Sequence, residues 1–405
     1  MPDGGERRAP PPLRGVRVLD LSNLLAGPLA TMYLADFGAE VVKVEHPERG
    51  DEMRNWGNEK NGVGLFFKMI NRNKRVITLN LGTLQGQELL RRMVADFDVA
   101  VENFRPGTLE RWGIGFEDLR RLNHGLIMAR ITGYGQTGPY AGRPGFGTLA
   151  EAFSGFAYIT GFPDRPPLLP GFGLGDASTA IHAAFGIMLA LYHREVNGGS
   201  GQYIDLGLYE GLFTLLGSFV LDYDQLGVVQ ERAGSRLPFL SPRNTYRTAD
   251  GAWVVIAGGT PRTFERIARA LEIEHVLGDP RFADNHLRIE NAQALDAEIQ
   301  GAVGRLTFAE VLQRFDEAEA PAGPAYSVRQ IFEDPHYRAR ENITTVPDDE
   351  LGPIRMQNVV PRLSETPGRI EHAGPPRGRH NREIYMGQLG LTESELEELA
   401  RGGVI

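Results

Sequence analysis

The chain has 405 residues, enough for two domains, and its hydrophobic content of 41% and charged content of 23% are those of a globular protein. A net charge of −9 argues against a general binder of nucleic acid or of anionic membranes. The absence of cysteine excludes disulfides, thiolate catalysis and zinc–thiolate sites. Any covalent chemistry must therefore use oxygen or nitrogen nucleophiles.

The remaining global features favour a cytoplasmic protein. The first fifteen residues, MPDGGERRAPPPLRG, are polar and proline-rich and lack the apolar core of a secretory signal. The most apolar run, IHAAFGIMLALY at 181–192, is too short to span a bilayer and is typical of a buried helix. The nine histidines are scattered without metal-ligand spacing, so we expect no metal site.

Short apolar strands alternate with helices along the first third of the chain. This alternation predicts an open, doubly wound, Rossmann-like parallel sheet with helices on both faces. The predicted strands are 16–22, 40–45, 75–81, 98–103 and 126–132, and the predicted helices between them are 28–38, 84–96 and 115–122.

The pattern changes in the later part of the chain. Two long apolar helices, 177–196 and 205–227, are followed by a hairpin over 243–259 with its turn at Asp250-Gly251. Further predicted segments are a helix at 261–271, a linker at 319–327, extended chain at 345–363 and a last helix capped by Thr392. We therefore expect a large α/β domain over 1–224, a smaller α+β domain over 225–325, and a return segment, 326–405, that completes the large domain.

One glycine-rich motif invites a nucleotide interpretation that its context excludes. GYGQTG (133–138) matches the dinucleotide fingerprint and follows a predicted strand. A helix must open at such a motif, and Pro139, Gly142 and Pro144 prevent one here. We interpret the motif as a backbone-exposing loop at the carboxyl edge of the sheet, where open α/β folds bind ligands.

Two carboxylates stand out in ITGFPDRPPLLPGFGLGD (159–176). Asp164 lies among prolines, which stiffen the backbone, whereas Asp176 ends a glycine-rich segment just before an apolar helix. Taken alone, Asp164 is typical of a turn. Asp176 is typical of a helix cap, and we predict that it caps a helix beginning at Ala177.

Basic residues cluster near several predicted strand ends. They are found in NRNKR (71–75), with Arg105 and Arg111 further along the chain. Because strand ends converge on one edge of a parallel sheet, we expect Lys74, Arg75 and Arg111 to surround a polyanion such as a nucleotide phosphate. The alternative is ordinary solvated surface charge.

Segments spread over nearly the whole chain carry a family resemblance. They are GVRVLDLSNLLAGP (15–28), FGAEVVKVEHPERGD (37–51), NKRVITLNL (73–81), VENFRPGTLERWG (101–113), ITGYGQTGPY (131–140), ITGFPDRPP (159–167), GD (175–176), PAGPAYSV (321–328) and PRGRHNREIYMGQLGL (376–391). In order and spacing the chain resembles the family III CoA-transferases, which include formyl-CoA and carnitine CoA-transferases and α-methylacyl-CoA racemases. The resemblance implies a homodimer of interlocked rings, or a pairing with a related chain.

The same resemblance implies a mechanism and a nucleophile. It assigns the nucleophile to Asp164, which would carry acyl and CoA groups as an anhydride and a thioester, with no metal or redox cofactor. The resemblance also matches Asp176 to the proton-abstracting aspartate of the family's racemases. Those racemases carry a histidine where this chain has Phe146, so a racemase is the less favoured alternative. A non-catalytic CoA-binding subunit of a two-chain transferase is a further alternative.

The resemblance also implies ligand contacts and a substrate class. The residues expected to line the site or hold CoA are Leu24, Leu25, Ala26, His46, Lys74, Arg75, Asn103, Phe104, Arg111, Thr132 and Tyr134. Tyr134 and Leu25 stand where formyl-CoA transferases carry a lysine and a glutamine, and only Gly258-Gly259 offers a glycine lid. Succinyl-CoA is the expected donor and a malate- or citramalate-like dicarboxylate the expected acceptor, with Arg236, Arg243 and Arg262 available for its carboxylates.

Overall fold

A computed structural model describes residues 9–405 of the chain, which form two compact units. The larger unit comprises the chain up to Phe156, Pro170–Ser218 and His336–Ile405, and the smaller unit comprises Ala157–Leu169 and Phe219–Pro335. The segment Ala157–Leu169, which contains Asp164, therefore clusters with the smaller unit and not with the segments on either side of it.

A six-stranded parallel sheet forms the centre of the larger unit. Its strands are, in chain order, Arg17–Asp20, Glu40–Glu45, Lys74–Thr78, Val99–Glu102, Ile127–Thr132 and Tyr203–Gly207. Their spatial order is third, second, first, fourth, fifth, sixth, and every pairing is parallel. This is the doubly wound order, whose direction reverses between the first and fourth strands, and ligands bind at the carboxyl ends of the strands there.

Both faces of this sheet are covered by helices. Val18 packs into one apolar core and Leu19 into the other, since successive strand residues point to opposite faces. The α-helices of this unit are Ala26–Asp36, Leu65–Ile70, Leu84–Val94, Thr108–Arg111, Phe116–Arg120, Gly147–Phe153, Leu174–Asn197, Glu210–Phe213 and Glu393–Arg401. The predicted α/β core is confirmed.

The sixth strand corrects one predicted element. The sequence predicted a helix over 205–227, but Tyr203–Gly207 pairs with Ile127–Thr132, and only short helices, Glu210–Phe213 and Phe219–Leu226, follow. A strand at the edge of a parallel sheet is a short apolar run, and such a run cannot be told from a helix by hydrophobicity alone.

The helix Leu174–Asn197 is longer than the sequence indicated. Within residues 9–405 it is the one helix that is long and apolar enough to cross a membrane by length and composition. Its inner face, with Ala180, Ala183 and Ile187, lies in the core of the larger unit. This packing is typical of the core helix of a globular protein.

The smaller unit has its own sheet and core. Three antiparallel strands are Arg243–Arg247, Trp253–Ala257 and Ala322–Pro324. Its helices are Phe219–Leu226, Pro261–Ala270, Asn285–Glu290, Ala292–Val303, Phe308–Glu317 and Val328–Glu333. The predicted hairpin is confirmed, with Gly251 at φ +84° in its turn. The predicted linker at 319–327 is wrong, because Ala322–Pro324 pairs with Trp253–Ala257.

Two short hairpins and the chain end complete the larger unit. The hairpins are Glu59–Lys60 with Val63–Gly64, and Ile343–Val346 with Ile354–Gln357. The second lies in the stretch predicted to be extended. The last helix, Glu393–Arg401, begins with a capping box in which Thr392 and Glu395 satisfy each other's backbone amides, as predicted.

Candidate active site

A cavity of about 270 Å³ opens at the carboxyl edge of the parallel sheet, and we call it the Asp176 pocket. Its lining comes from the loops after the first, fourth and fifth strands and from the start of helix Leu174–Asn197. The lining residues are Leu24, Leu25, Ala26, Asn103, Phe104, Arg105, Pro106, Ile131, Thr132, Gly133, Ala141, Arg143, Pro144, Gly145, Phe146, Gly147, Asp176 and Leu208. Six residues predicted from the sequence, Leu24, Leu25, Ala26, Asn103, Phe104 and Thr132, are brought together here.

A second cavity of about 430 Å³, the His46 pocket, adjoins the first. The two share Leu24, Phe104 and Phe146 in their linings. The His46 pocket is lined by Leu21, Asn23, Leu24, Val44, Glu45, His46, Arg49, Gly50, Glu52, Leu79, Asn80, Leu81, Gly82, Phe104, Trp112 and Phe146. The edge of the sheet therefore carries two adjacent compartments, one lined by Asp176 with Arg105 and Arg143 and the other lined by His46, Arg49 and Trp112.

Asn103 clamps the loop that separates the two compartments. Its Oδ1 accepts the N–H of Asn23 at 2.8 Å, and its Nδ2 donates to the carbonyl of Asn23 at 2.7 Å. The next residue, Leu24, has φ +65°, an unusual conformation for a branched apolar residue, and its N–H donates to Asp51. Such backbone strain typically costs about 1–3 kcal/mol and is retained at ligand sites. Asn103 thus shapes the pocket through the backbone of Asn23.

The glycine-rich loop predicted from the sequence forms a wall of the Asp176 pocket. A Cβ at Gly133 would lie 2.6 Å from the Cα of Gly145, so the two backbones are in direct contact. Asp205 fixes the loop by accepting the N–H of Gln136 at 2.9 Å. Thr132, at the end of its strand, has a buried hydroxyl with no hydrogen-bond partner in the described chain.

Neighbouring glycines leave the space that the carboxylate of Asp176 occupies. It lies in the first turn of helix Leu174–Asn197, whose N-cap is Gly173 and has no side-chain cap, so the predicted capping role of Asp176 is wrong. A Cβ at Gly147 would come within 1.9 Å of the Oδ2 of Asp176, and one at Gly173 would lie 3.3 Å from the same atom. Glycine at 147 is therefore required for the observed position of this carboxylate.

The surroundings of Asp176 make its charged form costly. Burial, followed by the nearby charge of Glu151, raises the pKa of Asp176 from 3.8 to about 6. No cation pairs with its carboxylate in the described part of the chain. A carboxylate with these properties is still mostly ionised at neutral pH, but it is more basic and more nucleophilic than a solvated one.

Asp164 lies in a different environment from that predicted. It belongs to the segment Ala157–Leu169 of the smaller unit, and its side chain is 77% exposed. Its recorded ion pair is with the equally exposed neighbour Arg165, at 3.6 Å. Exposed ion pairs of this kind fix a side chain weakly. The prolines around Asp164 therefore do not bury its carboxylate, and the structure gives no support to the nucleophile role that the family resemblance implied.

Lys74 and Arg75 lie at the amino end of their strand and are already partnered. Lys74 is fully buried, and its Nζ contacts Asp20 at 2.9 Å, the carbonyl of Pro28 at 2.7 Å and Asn71 at 2.9 Å. Arg75 bonds to Glu40 and Glu383. The expectation that these two side chains hold a phosphate is corrected: one is buried in the structure, and neither lines the pockets described above.

Of the three remaining predicted residues, His46 lines a pocket, whereas Arg111 and Tyr134 are in neither lining. His46 lines its pocket, and burial, followed by the charge of Arg49, lowers its pKa. Arg111 is exposed, hydrogen-bonds to Thr108, and has no carboxylate partner among residues 9–405. Tyr134 packs its ring against Tyr140, Phe153 and Tyr209.

Sequence reasoning missed several residues of the two pockets. Gly147 belongs to PGFGTLAEAF (144–153), a stretch considered only for the histidine it lacks, and Arg143 immediately precedes it. Glu151, which lies in the same stretch next to the pocket, was also missed. Arg49 and Trp112 of the His46 pocket were not singled out either. The glycines on both sides of Asp176 were a usable signal, since glycine is favoured where another group approaches the backbone closely.

Comparison with known proteins shows the family of the chain. The model of CoA-transferase family III matches residues 13–381. The succinyl-CoA–D-citramalate CoA-transferase of Chloroflexus aurantiacus is 47% identical over 400 residues, covering 98% of this chain and 99% of that one. The alpha subunit of the succinyl-CoA–L-malate CoA-transferase of the same organism is 40% identical, with 97% and 92% covered.

A solved structure also superimposes on most of the chain. The crystal structure of a CAIB/BAIF family protein from Brucella suis gives a TM-score of 0.83 at 33% identity, covering 94% of this chain and 100% of that one. The chain belongs to CoA-transferase family III and is an enzyme of that class.

The seat of Asp176 yields a first prediction. Gly147→Ala should abolish CoA transfer while leaving the fold intact, because the added methyl group occupies the position of the Asp176 carboxylate. Gly142→Ala is the matched control, since a Cβ there meets nothing within 4 Å. Steady-state transfer rates and circular dichroism of both variants measure this. Activity of Gly147→Ala close to that of the control would show that the carboxylate position is unimportant.

Proposed function

We propose that this enzyme transfers CoA from succinyl-CoA to a dicarboxylic acid of the malate or citramalate type, with Asp176 as the carboxylate that carries the acyl and CoA groups. The observation that carries the proposal is the placement of Asp176, with its raised pKa, among the loop residues expected to line the site. The names of the similar transferases support the donor and the acceptor class.

The proposed reaction uses a carboxylate at each step. An Oδ of Asp176 attacks the thioester carbonyl, the C–S bond breaks, and CoA leaves as a thiolate with a mixed anhydride on Asp176. The thiolate then attacks the aspartyl carbonyl carbon, the C–O bond to the succinyl group breaks, and succinate leaves. The acceptor carboxylate then attacks the aspartyl-CoA thioester, which gives a new mixed anhydride and releases the CoA thiolate. The thiolate attacks the acyl carbonyl of the acceptor, and the acceptor leaves as its CoA thioester while Asp176 returns to a carboxylate. Each step transfers an acyl group between a carboxylate and a thiolate, so the reaction consumes no water or ATP and requires no metal or redox cofactor.

The two pockets offer a division of the CoA molecule. The Asp176 pocket suits the thioester, and the His46 pocket, with His46, Arg49 and Trp112, suits the nucleotide. Arg111, which is exposed and has no carboxylate partner in the described chain, is a further candidate for a phosphate. Leu25, the N-cap of helix Ala26–Asp36, provides no side-chain cap, so the first-turn amides remain available to a developing oxyanion.

The cations of the Asp176 pocket support a substrate with a second carboxylate. Arg105 and Arg143 both line it, and neither has a carboxylate partner in residues 9–405. The guanidinium of Arg143 stacks 3.7 Å from the ring centroid of Tyr140, which holds it in place. By contrast, Arg236 of the smaller unit is paired with Asp296 at 2.7 Å, and Arg243 donates to the carbonyl of Ser235.

A substrate panel tests the function directly. Purified protein with succinyl-CoA should form CoA thioesters of malate or citramalate and release succinate, whereas acids with one carboxylate should react at least about tenfold more slowly, since they lack the second anion. Chromatography of the CoA thioesters measures this. Transfer to monocarboxylates at equal rates would contradict the acceptor class. Proton exchange at the α-carbon in deuterated water, without transfer, would favour a racemase.

Replacing Asp176 should separate chemistry from stability. Asp176→Asn should lower the transfer rate by roughly 10³-fold or more, because the nucleophile is lost. It should also raise the thermal midpoint at pH 7.5, since it removes the cost of ionising a group whose folded pKa, about 6, exceeds its unfolded value of 3.8. This gain should vanish below pH 4, where the carboxyl of the wild type is protonated in both folded and unfolded states.

Asp164→Asn is the companion variant. Its side chain is exposed, so we expect wild-type activity and an unchanged thermal midpoint. Loss of transfer in Asp164→Asn together with retention in Asp176→Asn would return the nucleophile to Asp164.

We also propose that two copies of this chain associate. Helix Leu174–Asn197 exposes a stripe of apolar side chains, Ile181, Phe185, Leu189, Tyr192 and Val196, each at least 55% exposed. A contiguous apolar stripe of this kind is typical of a protein interface. A second copy of this chain is the proposed occupant, and a related chain is the alternative, since a similar transferase is named as an alpha subunit. A cytoplasmic location, proposed from the sequence, fits such a soluble assembly.

The association is tested by mass. Sedimentation equilibrium should give twice the mass of the chain, and Phe185→Glu with Leu189→Glu should give single chains. A wild-type protein that sediments as a single chain at micromolar concentration would contradict the proposal.

A further inference from the structure

Glu151 is a buried carboxylate without a cation. It lies in helix Gly147–Phe153 with 2% of its surface exposed, and no ion pair to it occurs within residues 9–405. Its Oε1 accepts the N–H of Gly175 at 3.1 Å, on the residue immediately before Asp176. Burying a carboxylate costs several kcal/mol unless a cation compensates, and a single neutral donor is a weak substitute. The proposed reaction does not yet use this group.

The packing of two helices places Glu151 beside Asp176. A Cβ at Gly175 would lie 2.9 Å from the carbonyl oxygen of Gly147 and 3.4 Å from the Cγ of Glu151. Gly175 and Gly147 therefore let the helices Leu174–Asn197 and Gly147–Phe153 approach closely at the point where both carboxylates emerge. The repulsion between them is the second cause, after burial, of the raised pKa of Asp176.

The other charged groups near Asp176 in the described part of the chain come from the loops and helices around the pocket. Arg105 and Arg143 line the pocket from two loops. Helix Ala26–Asp36 has no charged residue in its first turn. On helix Glu210–Phe213, the carboxylate of Glu210 accepts the N–H of Gly207 at 2.7 Å and does not contribute to the shift of Asp176. Among residues 9–405, Glu151 is the acidic neighbour whose charge raises the pKa of Asp176.

We propose that Glu151 is a positioning residue whose negative charge favours acylation of Asp176. The proposal rests on the proposed function, in which Asp176 is the nucleophile. When Asp176 attacks the thioester, its charge departs on the CoA thiolate, and in the next step the charge departs on succinate. In the anhydride and in the aspartyl-CoA thioester Asp176 is neutral, so its repulsion with Glu151 exists only before acylation. An interaction that is unfavourable in the reactant and absent in the intermediate lowers the barrier between them.

The hydrogen bond to Gly175 gives this charge a fixed place. A carboxylate free to rotate would turn away from Asp176 toward solvent and lose the effect. The N–H of Gly175 holds the Glu151 carboxylate at the start of helix Leu174–Asn197, one residue from the nucleophile. The fixed negative charge of Glu151 therefore increases the reactivity of the neighbouring carboxylate of Asp176.

Glu151→Gln tests the inference, because the amide oxygen can still accept the N–H of Gly175 while the charge is removed. The acid limb of the pH profile of kcat/KM for succinyl-CoA should move to lower pH by about half a unit or more. Above the limb, the rate should fall by roughly 3–10-fold, since a less basic carboxylate is a weaker nucleophile. The steady-state fraction of enzyme carrying aspartyl-CoA, measured by mass spectrometry of the quenched protein, should fall as well.

Two variants serve as controls. Glu210→Gln removes a charge that also accepts a backbone N–H and should leave the acid limb in place. Glu151→Asp keeps the charge and should hold the limb close to the wild-type position. If Glu151→Gln does not fold, Glu151→Ser carries the same expectation for the limb and is measured in its place.

The outcomes separate this inference from the proposed function. An acid limb that is unchanged in Glu151→Gln, while Asp176→Asn is inactive, would overturn the role of Glu151 and leave the nucleophile assignment standing. Full activity of Asp176→Asn would overturn the proposed function itself.

Discussion

The site depends on holding one carboxylate in a place that disfavours its charge. Asp176 is half-buried, has no cation partner in the described chain, and lies near a second acid, so its ionised form is disfavoured by about 3 kcal/mol relative to a solvated carboxylate. Glycines at 147, 173 and 175 make the space for this arrangement, and a side chain at Gly147 would remove it. The neighbouring loops, the strained Leu24 and the Asn103 clamp all shape the cavity into which this carboxylate opens.

Buried charges that are paired, unlike Asp176, support the edge of the sheet that carries the site. Asp20 ends the first strand, and although burial alone would raise its pKa, Lys74, Lys43 and two hydroxyl groups lower it to about 2. Lys43 pairs with Asp51 at 2.8 Å, and Asp51 in turn holds the amide of Leu24. These compensated charges fix the loop after the first strand, whereas the uncompensated charge of Asp176 is left for chemistry. The contrast separates structural ions from the proposed reactive one.

Local sequence patterns determined most of the fold. Five of the six parallel strands, the hairpin with Gly251 in its turn and the capping box at Thr392 are each marked by a local pattern of residues, and all were predicted. The sixth strand, Tyr203–Gly207, and the strand Ala322–Pro324 lack such a pattern and are defined by their pairing, so their short segments looked like helix and linker.

The site was only partly predictable for the same reason. The loop residues Leu24, Leu25, Ala26, Asn103 and Phe104 were expected at the site from the family resemblance, and the structure has them after strands whose carboxyl ends meet. The burial of Lys74 and the proximity of Glu151 to Asp176 depend on tertiary packing, which local sequence patterns do not reveal. The family resemblance assigned the nucleophile to Asp164, but the exposure of a side chain is decided by tertiary packing, and that of Asp164 is largely exposed.

The central claim is that Asp176 carries the acyl and CoA groups, and the most direct measurement is to find them there. Enzyme incubated with succinyl-CoA, quenched in acid and digested, is mapped by tandem mass spectrometry after hydroxylamine treatment, which converts an aspartyl thioester or anhydride to a hydroxamate. We expect the modification on the peptide containing Asp176, dependent on succinyl-CoA and absent from Asp176→Asn. A hydroxamate on Asp164, or on neither aspartate during steady turnover, would contradict the account.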